Sequence, residues 1–216
     1  MKSAASPELT ERAVGPDRGR SVFINCPYDK EFRPLFDAIV FASLCCGFEP
    51  RCARESGAIS IARIQRITST LRGSKYSIHD LSRCNGDGPE NLARFNMPLE
   101  LGMAMELGFT ANHDWAVLVP RKHAYNNYIS DLGAYDLLDY DGTPAGLVPK
   151  VMGWLAPRSR SKTKTPEEVL RALPDFVNEL EALRQQWHEQ EAWAAIVDLG
   201  RKVARRNKLV PTTSRK

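Results

Sequence analysis

The chain has 216 residues, 43% of them hydrophobic and 26% charged, with a formal net charge of +4. That length holds one domain of common size plus an extension, and no apolar run approaches the roughly 20 residues that a membrane-spanning helix needs. Residues 1–20 lack an apolar signal-peptide core and read as a disordered leader; with five cysteines and no CxxC pair, a reduced, cytoplasmic protein is expected.

In chain order, residues 21–26 (SVFINC) predict a buried first strand behind turn-forming residues. Phe32, Leu35, Phe36, Ile39, Ser43 and Cys46 recur at helical spacing, and Gly47 follows as a stop. Residues 48–54 predict a second strand. Ile61, Ile64, Ile67 and Leu71 mark the apolar stripe of a second helix, closed by Gly73. Residues 76–81 (YSIHDL) predict a third strand and 82–95 a polar loop. A third helix runs from Asn96 to Gly108, followed by strands at 115–120 and 135–140 and a helix over 148–155. Strands alternating with helices predict an α/β, flavodoxin-like, doubly wound parallel sheet of four or five strands over residues 21–155. Residues 156–165 read as a basic linker and 166–216 as a helical extension with a basic tail. Thr165 caps that extension's first helix and Pro166 opens it. The extension is expected to pack back or to pair with another chain.

The charge is uneven. Arg158, Arg160, Lys162 and Lys164 have no acid between them, and seven more basic residues lie between Arg201 and Lys216. They read as a solvated linker and tail, since no aromatics interleave with them; nucleic acid or an acidic partner would be reached only through them.

The third helix, NMPLELGMAMELG, treats its two glutamates differently. At about 100° per residue, Met97, Leu101, Ala104, Met105 and Leu107 share one face, and Glu106 lies opposite. Glu100 falls between Ala104 and Leu107, on the apolar side. In open parallel sheets, ligands bind outside the carboxyl ends of the strands. Asn25, Tyr28 and Asp29 follow the first strand there, Arg54 the second, and Asp80 and Ser82 the third. Pro98 suits a first helical turn, so Glu100 stands about one turn in, at the same rim and close to Asp80. A carboxylate facing a cleft and a carboxylate placed early in a helix by the dipole both account for it. His79 reads as a packed strand residue. No GxGxxG, GxxxxGK[ST] or GxSxG motif is present, and the cysteines read as buried thiols, not metal ligands.

Together, "FINCPYD" after the start of the first strand, Ile78-His79-Asp80-Leu81-Ser82, then Asn96, then Glu100-Leu101-Gly102-Met103-Ala104 resemble bacterial TIR-like (Toll/interleukin-1 receptor-like) proteins. They also resemble the related nucleoside 2-deoxyribosyltransferase-like domains. The likeness covers residues 21–155; the stretch Ala93-Arg94-Phe95-Asn96 departs from the segment that precedes the glutamate in many TIR domains. The resemblance implies cleavage of the nicotinamide–ribose bond of NAD⁺ or a related nucleotide, with no cofactor. It further implies production of a signalling nucleotide in bacterial antiphage defence, through self-association or a partner defence protein. Glu100 would act at the anomeric carbon and Asp80 would hold sugar hydroxyls or assist it. Asn25, Tyr28, Asp29, Ser82 and Asn96 would line the cleft, and Arg54 would meet a phosphate. A non-enzymatic assembly or nucleotide-sensing module, and a nucleoside base-exchange enzyme, are the alternatives.

Overall fold

The structure is a computed structural model that describes residues 17–55, 61–83, 94–121, 129–186 and 193–211. Five parallel strands, β1 (Ser21–Asn25), β2 (Glu49–Cys52), β3 (Tyr76–Asp80), β4 (Asp114–Pro120) and β5 (Leu138–Tyr140), form one sheet in the order β2-β1-β3-β4-β5. This is the flavodoxin-like, doubly wound arrangement expected from the sequence. Strand order reverses between β1 and β3, so the loops leaving these two strands part there and open a crevice at the carboxyl rim.

Helices α1 (Arg33–Cys45) and α4 (Pro144–Leu155) cover one face of the sheet; α2 (Arg63–Arg72) and α3 (Asn96–Thr110) cover the other. The end of α1 follows from its sequence: Gly47, at φ +84°, allows Gly47 N–H to reach the Leu44 carbonyl and Phe48 N–H the Ser43 carbonyl. The α2 stripe is shorter than its periodicity predicts. Ile67 and Leu71 are buried, whereas Ile61 and Ile64 stand at the rim beyond the sheet and are exposed. The last residues of the expected leader also differ from expectation. Arg18–Arg20 form a 3-10 turn, Arg18 donates to the Arg72 and Ala111 carbonyls, and Arg20 donates to that of Gly47.

Helices α5 (Pro166–Gln186) and α6 (Trp193–Arg206) are packed back as a further layer over α1 and α4, within the same core. Thr165 and Glu168 form a reciprocal capping box, Thr165 N–H to Glu168 Oε2 at 2.9 Å and Glu168 N–H to Thr165 Oγ1 at 3.3 Å. Because α1 lies between the sheet and this outer layer, every residue from Leu35 to Cys45 is buried, including Asp37 and Ser43. Asp37 can be buried because Arg184 of α5 donates to both its oxygens at 2.8 Å. Ser43 donates its hydroxyl to the Ile39 carbonyl.

Gly200 marks where α6 comes closest to α1. A Cβ there would lie 2.4 Å from Leu44 Cδ1 and 3.3 Å from the Phe176 ring. Gly200→Ala is therefore expected to destabilise the fold by about 1–3 kcal/mol despite its better helix propensity; chemical denaturation with an unchanged m value would measure this.

Several basic residues near the carboxyl end have acidic partners, on the sheet domain or within α5 and α6. Arg158 pairs with Asp114, Arg201 with Glu49 and Asp198, and Arg206 with Glu179 and Asp175. Cys26, Cys45, Cys46 and Cys52 are free and buried, as expected; Cys84 lies outside the described residues. Among the described residues no helix is long and apolar enough to cross a membrane.

Candidate active site at the carboxyl rim

Glu100 lies just past the first turn of α3 and is only 5% exposed, while Glu106 on the same helix is exposed. Of the five apolar residues predicted for one face of α3, Met97, Leu101 and Ala104 are buried and Met105 and Leu107 half-buried. Among the described residues no hydrogen-bond donor meets the Glu100 carboxyl group. Its pKa is pushed up to about 7 by burial, partly offset by the charge of Arg63, the first residue of α2. The Glu100 charge also reaches the ends of β1 and its loop: it raises the pKa of the buried Cys26 thiol and of the Tyr28 hydroxyl, secondary to desolvation in both.

Asp80 ends β3 with its side chain on the α1/α4 side of the sheet, opposite α3. It is fully buried and both oxygens are in use: Oδ1 accepts from Ser82 N–H at 2.9 Å and Oδ2 from the Tyr140 hydroxyl at 2.7 Å. Burial raises its pKa to about 6, against the lowering effect of Ser82 and Tyr140. Through these two contacts Asp80 ties the end of β3 to β5. Cys26 feels the charges of both Asp80 and Glu100, so the two carboxylates flank the end of β1 from opposite faces.

An acid with a raised folded-state pKa opposes folding as pH rises from the ordinary carboxylate range through that raised value. The Tyr140 hydroxyl relieves this at Asp80 by donating to the charged form. Tyr140→Phe is accordingly expected to cost about 1–3 kcal/mol, with a larger loss at pH 8 than at pH 5, readable as two denaturation curves.

The remaining predicted residues build the rim from within. Asn25 is buried and its amide nitrogen donates to His79 Nδ1 at 2.9 Å and to the Met97 carbonyl at 3.0 Å, across the crevice between β1 and β3. Asp29 accepts from Phe32 N–H and pairs with Arg83 and Arg94, the residues on either side of 84–93. Desolvation would raise its pKa, but the hydrogen bonds from Arg83 and Phe32 hold it below the usual range. Tyr28 is half-buried, its hydroxyl between the Ile24 carbonyl and Ala53 N–H. Arg54 lies 4.6 Å over the Tyr28 ring and donates to the Tyr28 carbonyl. Ser82 holds Asp80 through its backbone, while its buried Oγ is outside hydrogen-bonding geometry with any described group. Asn96, the first residue of α3, is exposed. His79 is packed within its strand, as the sequence reads it, and lies beside Asn25 in register. Arg83 stands at the rim after β3, where its place in the sequence puts it; sequence reasoning missed the parts taken by Arg94 and Tyr140, which carried no local signal.

A second cleft, of about 560 Å³, lies at the opposite, amino end of the sheet between Arg20, Phe48, Glu49, Arg201 and Arg205, away from Glu100.

No protein-family model matches the chain, and no curated protein is significantly similar to it. What fold and site define together is a flavodoxin-like α/β domain with, at its topological switch point, a buried carboxylate that meets no hydrogen-bond donor among the described residues.

Proposed function

We propose that this protein is a TIR-like N-glycosidase that cleaves the nicotinamide–ribose bond of NAD⁺ or of a related nucleotide. The observation that carries this reading is Glu100: a carboxylate 5% exposed, at the carboxyl rim, with no hydrogen-bond donor of the protein committed to it among the described residues. Native proteins rarely keep a buried carboxylate without such partners unless a ligand or reaction uses it. The order of motifs along the chain, with its resemblance to TIR-like proteins, points to the same chemistry.

The bond between the anomeric carbon and the ring nitrogen of nicotinamide breaks with both electrons leaving on nicotinamide, which departs as a neutral base. Positive charge then develops on the ribose, and the Glu100 carboxylate stabilises or captures it. Water adds to the sugar carbon and releases its proton to solvent. Arg63 and Arg54 bring positive charge to the rim where the pyrophosphate of a dinucleotide would lie. Asp80, Asn25 and Asp29 shape the crevice.

Incubating the purified chain with NAD⁺ and following nicotinamide release tests this, with Glu100→Gln beside it. Release by the wild type and not by the variant supports the reading; equal release by both removes Glu100 from it. Transfer of the ribosyl group to an added free base would instead identify base exchange.

One observation favours an assembly module as the second reading. Ile61, Ile64, Phe95 and Leu99 are exposed apolar residues at the amino ends of α2 and α3. Thr68 touches Met103, so Ile64 and Leu99, one turn earlier on each helix, belong to the same seam. A chain that associates through this seam and releases no nicotinamide in either state would be such a module. Leu99→Glu should then reduce association by about tenfold, one like-charge or desolvated contact being worth roughly 1.4 kcal/mol.

A further inference from the structure

A continuous line of polar side chains runs beneath the sheet from the carboxyl rim to its opposite end. Asn25 donates to the Met97 carbonyl and to His79 Nδ1; His79 Nε2 lies 2.8 Å from Ser77 Oγ; Ser77 Oγ lies 2.7 Å from His113 Nε2; and His113 Nδ1 lies 3.0 Å from the Ser74 carbonyl. Asn25, Ser77, His79 and His113 are all buried. Both hydrogens of the Asn25 amide are in use, so His79 Nδ1 must accept. Its Nε2–H then donates to Ser77, the Ser77 hydroxyl donates to His113 Nε2, and His113 Nδ1–H donates to the Ser74 carbonyl. Every donor meets an acceptor in only one direction, with both imidazoles neutral and in opposite tautomers. The burial that depresses both histidine pKa values, His79 to about 3, keeps them so.

The upper end of this chain grips α3 where its own sequence holds it least. The helix has no side-chain cap and no acid in its first turn. The carbonyl that Asn25 holds belongs to Met97, and Glu100, three residues on, projects from the same side of the helix. We propose that His79 and Asn25 are positioning residues, which fix the first turn of α3 and thereby aim Glu100 at the crevice. This rests on the role given to Glu100 above.

The test follows the Glu100 carboxyl directly, by pH titration of protein labelled with ¹³C at glutamate, its resonance identified by its absence in Glu100→Gln. Wild type, His79→Leu, Asn25→Leu and His79→Gln are compared, with thermal stability and amide exchange over the first turn of α3. Leucine removes both hydrogen bonds of His79 or both donors of Asn25 without adding a charge near Glu100, and glutamine keeps an acceptor and a donor at position 79. His79→Leu and Asn25→Leu are expected to change the proton affinity of Glu100 about tenfold, moving its titration midpoint accordingly, and to speed exchange in that turn. His79→Gln is expected to keep the wild-type midpoint. Should His79→Leu not fold, Asn25→Leu and His79→Gln decide the matter. Unchanged Glu100 titration in a folded Asn25→Leu or His79→Leu protein, with only its melting temperature lowered, would overturn the proposal. The titration needs no substrate: a displaced midpoint in a chain that never cleaves NAD⁺ keeps the positioning role and removes the glycosidase. In an active chain kcat should fall and KM hold.

Discussion

Glu100→Gln is expected to lower nicotinamide release by about 100- to 1000-fold, the range seen when one group that stabilises transition-state charge is removed, and at the same time to make the protein more stable at alkaline pH. The two effects share one cause. Burial lifts the folded-state pKa of Glu100 to about 7, so the folded chain holds a proton that the unfolded chain has already released. Below the ordinary carboxylate range Glu100 is protonated in both states and contributes no penalty. As pH rises through about 7 the folded state must carry a buried charge that no donor among the described residues meets and that Arg63 offsets only in part. That charge opposes folding by up to about 3 kcal/mol, the free energy equivalent of the gap between its folded and unfolded proton affinities. Glutamine removes it. The melting temperatures of wild type and variant should therefore nearly coincide at pH 4 and diverge above pH 7, with the variant higher. Activity needs the ionised form, so release by the wild type should increase with pH through about 7. A difference in melting temperature that does not vary with pH would show that Glu100 does not ionise in a buried place.

The second large effect lies away from the rim. Asp37 and Arg184, 147 residues apart in sequence, form a two-pronged ion pair at 2.8 Å, with side chains 2% and 6% exposed. Asp37→Asn leaves the Arg184 guanidinium buried beside a neutral amide, and the expected loss is about 3–5 kcal/mol. The double variant Asp37→Leu with Arg184→Met buries no charge and should recover most of that loss. Urea denaturation of the single and double variants reads this directly, as midpoints with unchanged slope. A double variant less stable than the single one would mean that the pair stabilises the fold beyond mutual neutralisation. Since α1 is covered by α5 and α6, removing residues beyond 165 would expose its outer face; association is better probed at the seam of Ile64 and Leu99 than by truncation.

Short-range pattern decided a good deal of this. Alternation of apolar runs with helical stripes predicted a parallel sheet of four or five strands, and five form, because strands buried on both faces must be apolar throughout. Gly47 after Cys46 and Thr165 three residues before Glu168 specified their helix ends, because those motifs close within a single turn. Helical periodicity separated Glu100 from Glu106, since an angle about a helix axis depends only on sequence spacing.

What periodicity leaves open is what each face meets, and only the tertiary structure decided that. Ile61 and Ile64 continue the stripe of Ile67 and Leu71, but the sheet ends before they reach it. Asp80 and His79 had to face opposite ways, yet which one shared a face with Glu100 depended on the side of the sheet taken by α3. That side is set by the handedness of the crossover, and it gave His79 to Asn25 and Asp80 to Tyr140. Asp37, a charged residue inside an apolar helix, made sense only when the chain returned 147 residues later with Arg184. Local chemistry thus determined the elements and the one carboxylate out of place; the partners of Asn25, Asp37 and His113, and the Tyr140 hydroxyl on Asp80, came from distant segments, whose meeting no local spacing encodes.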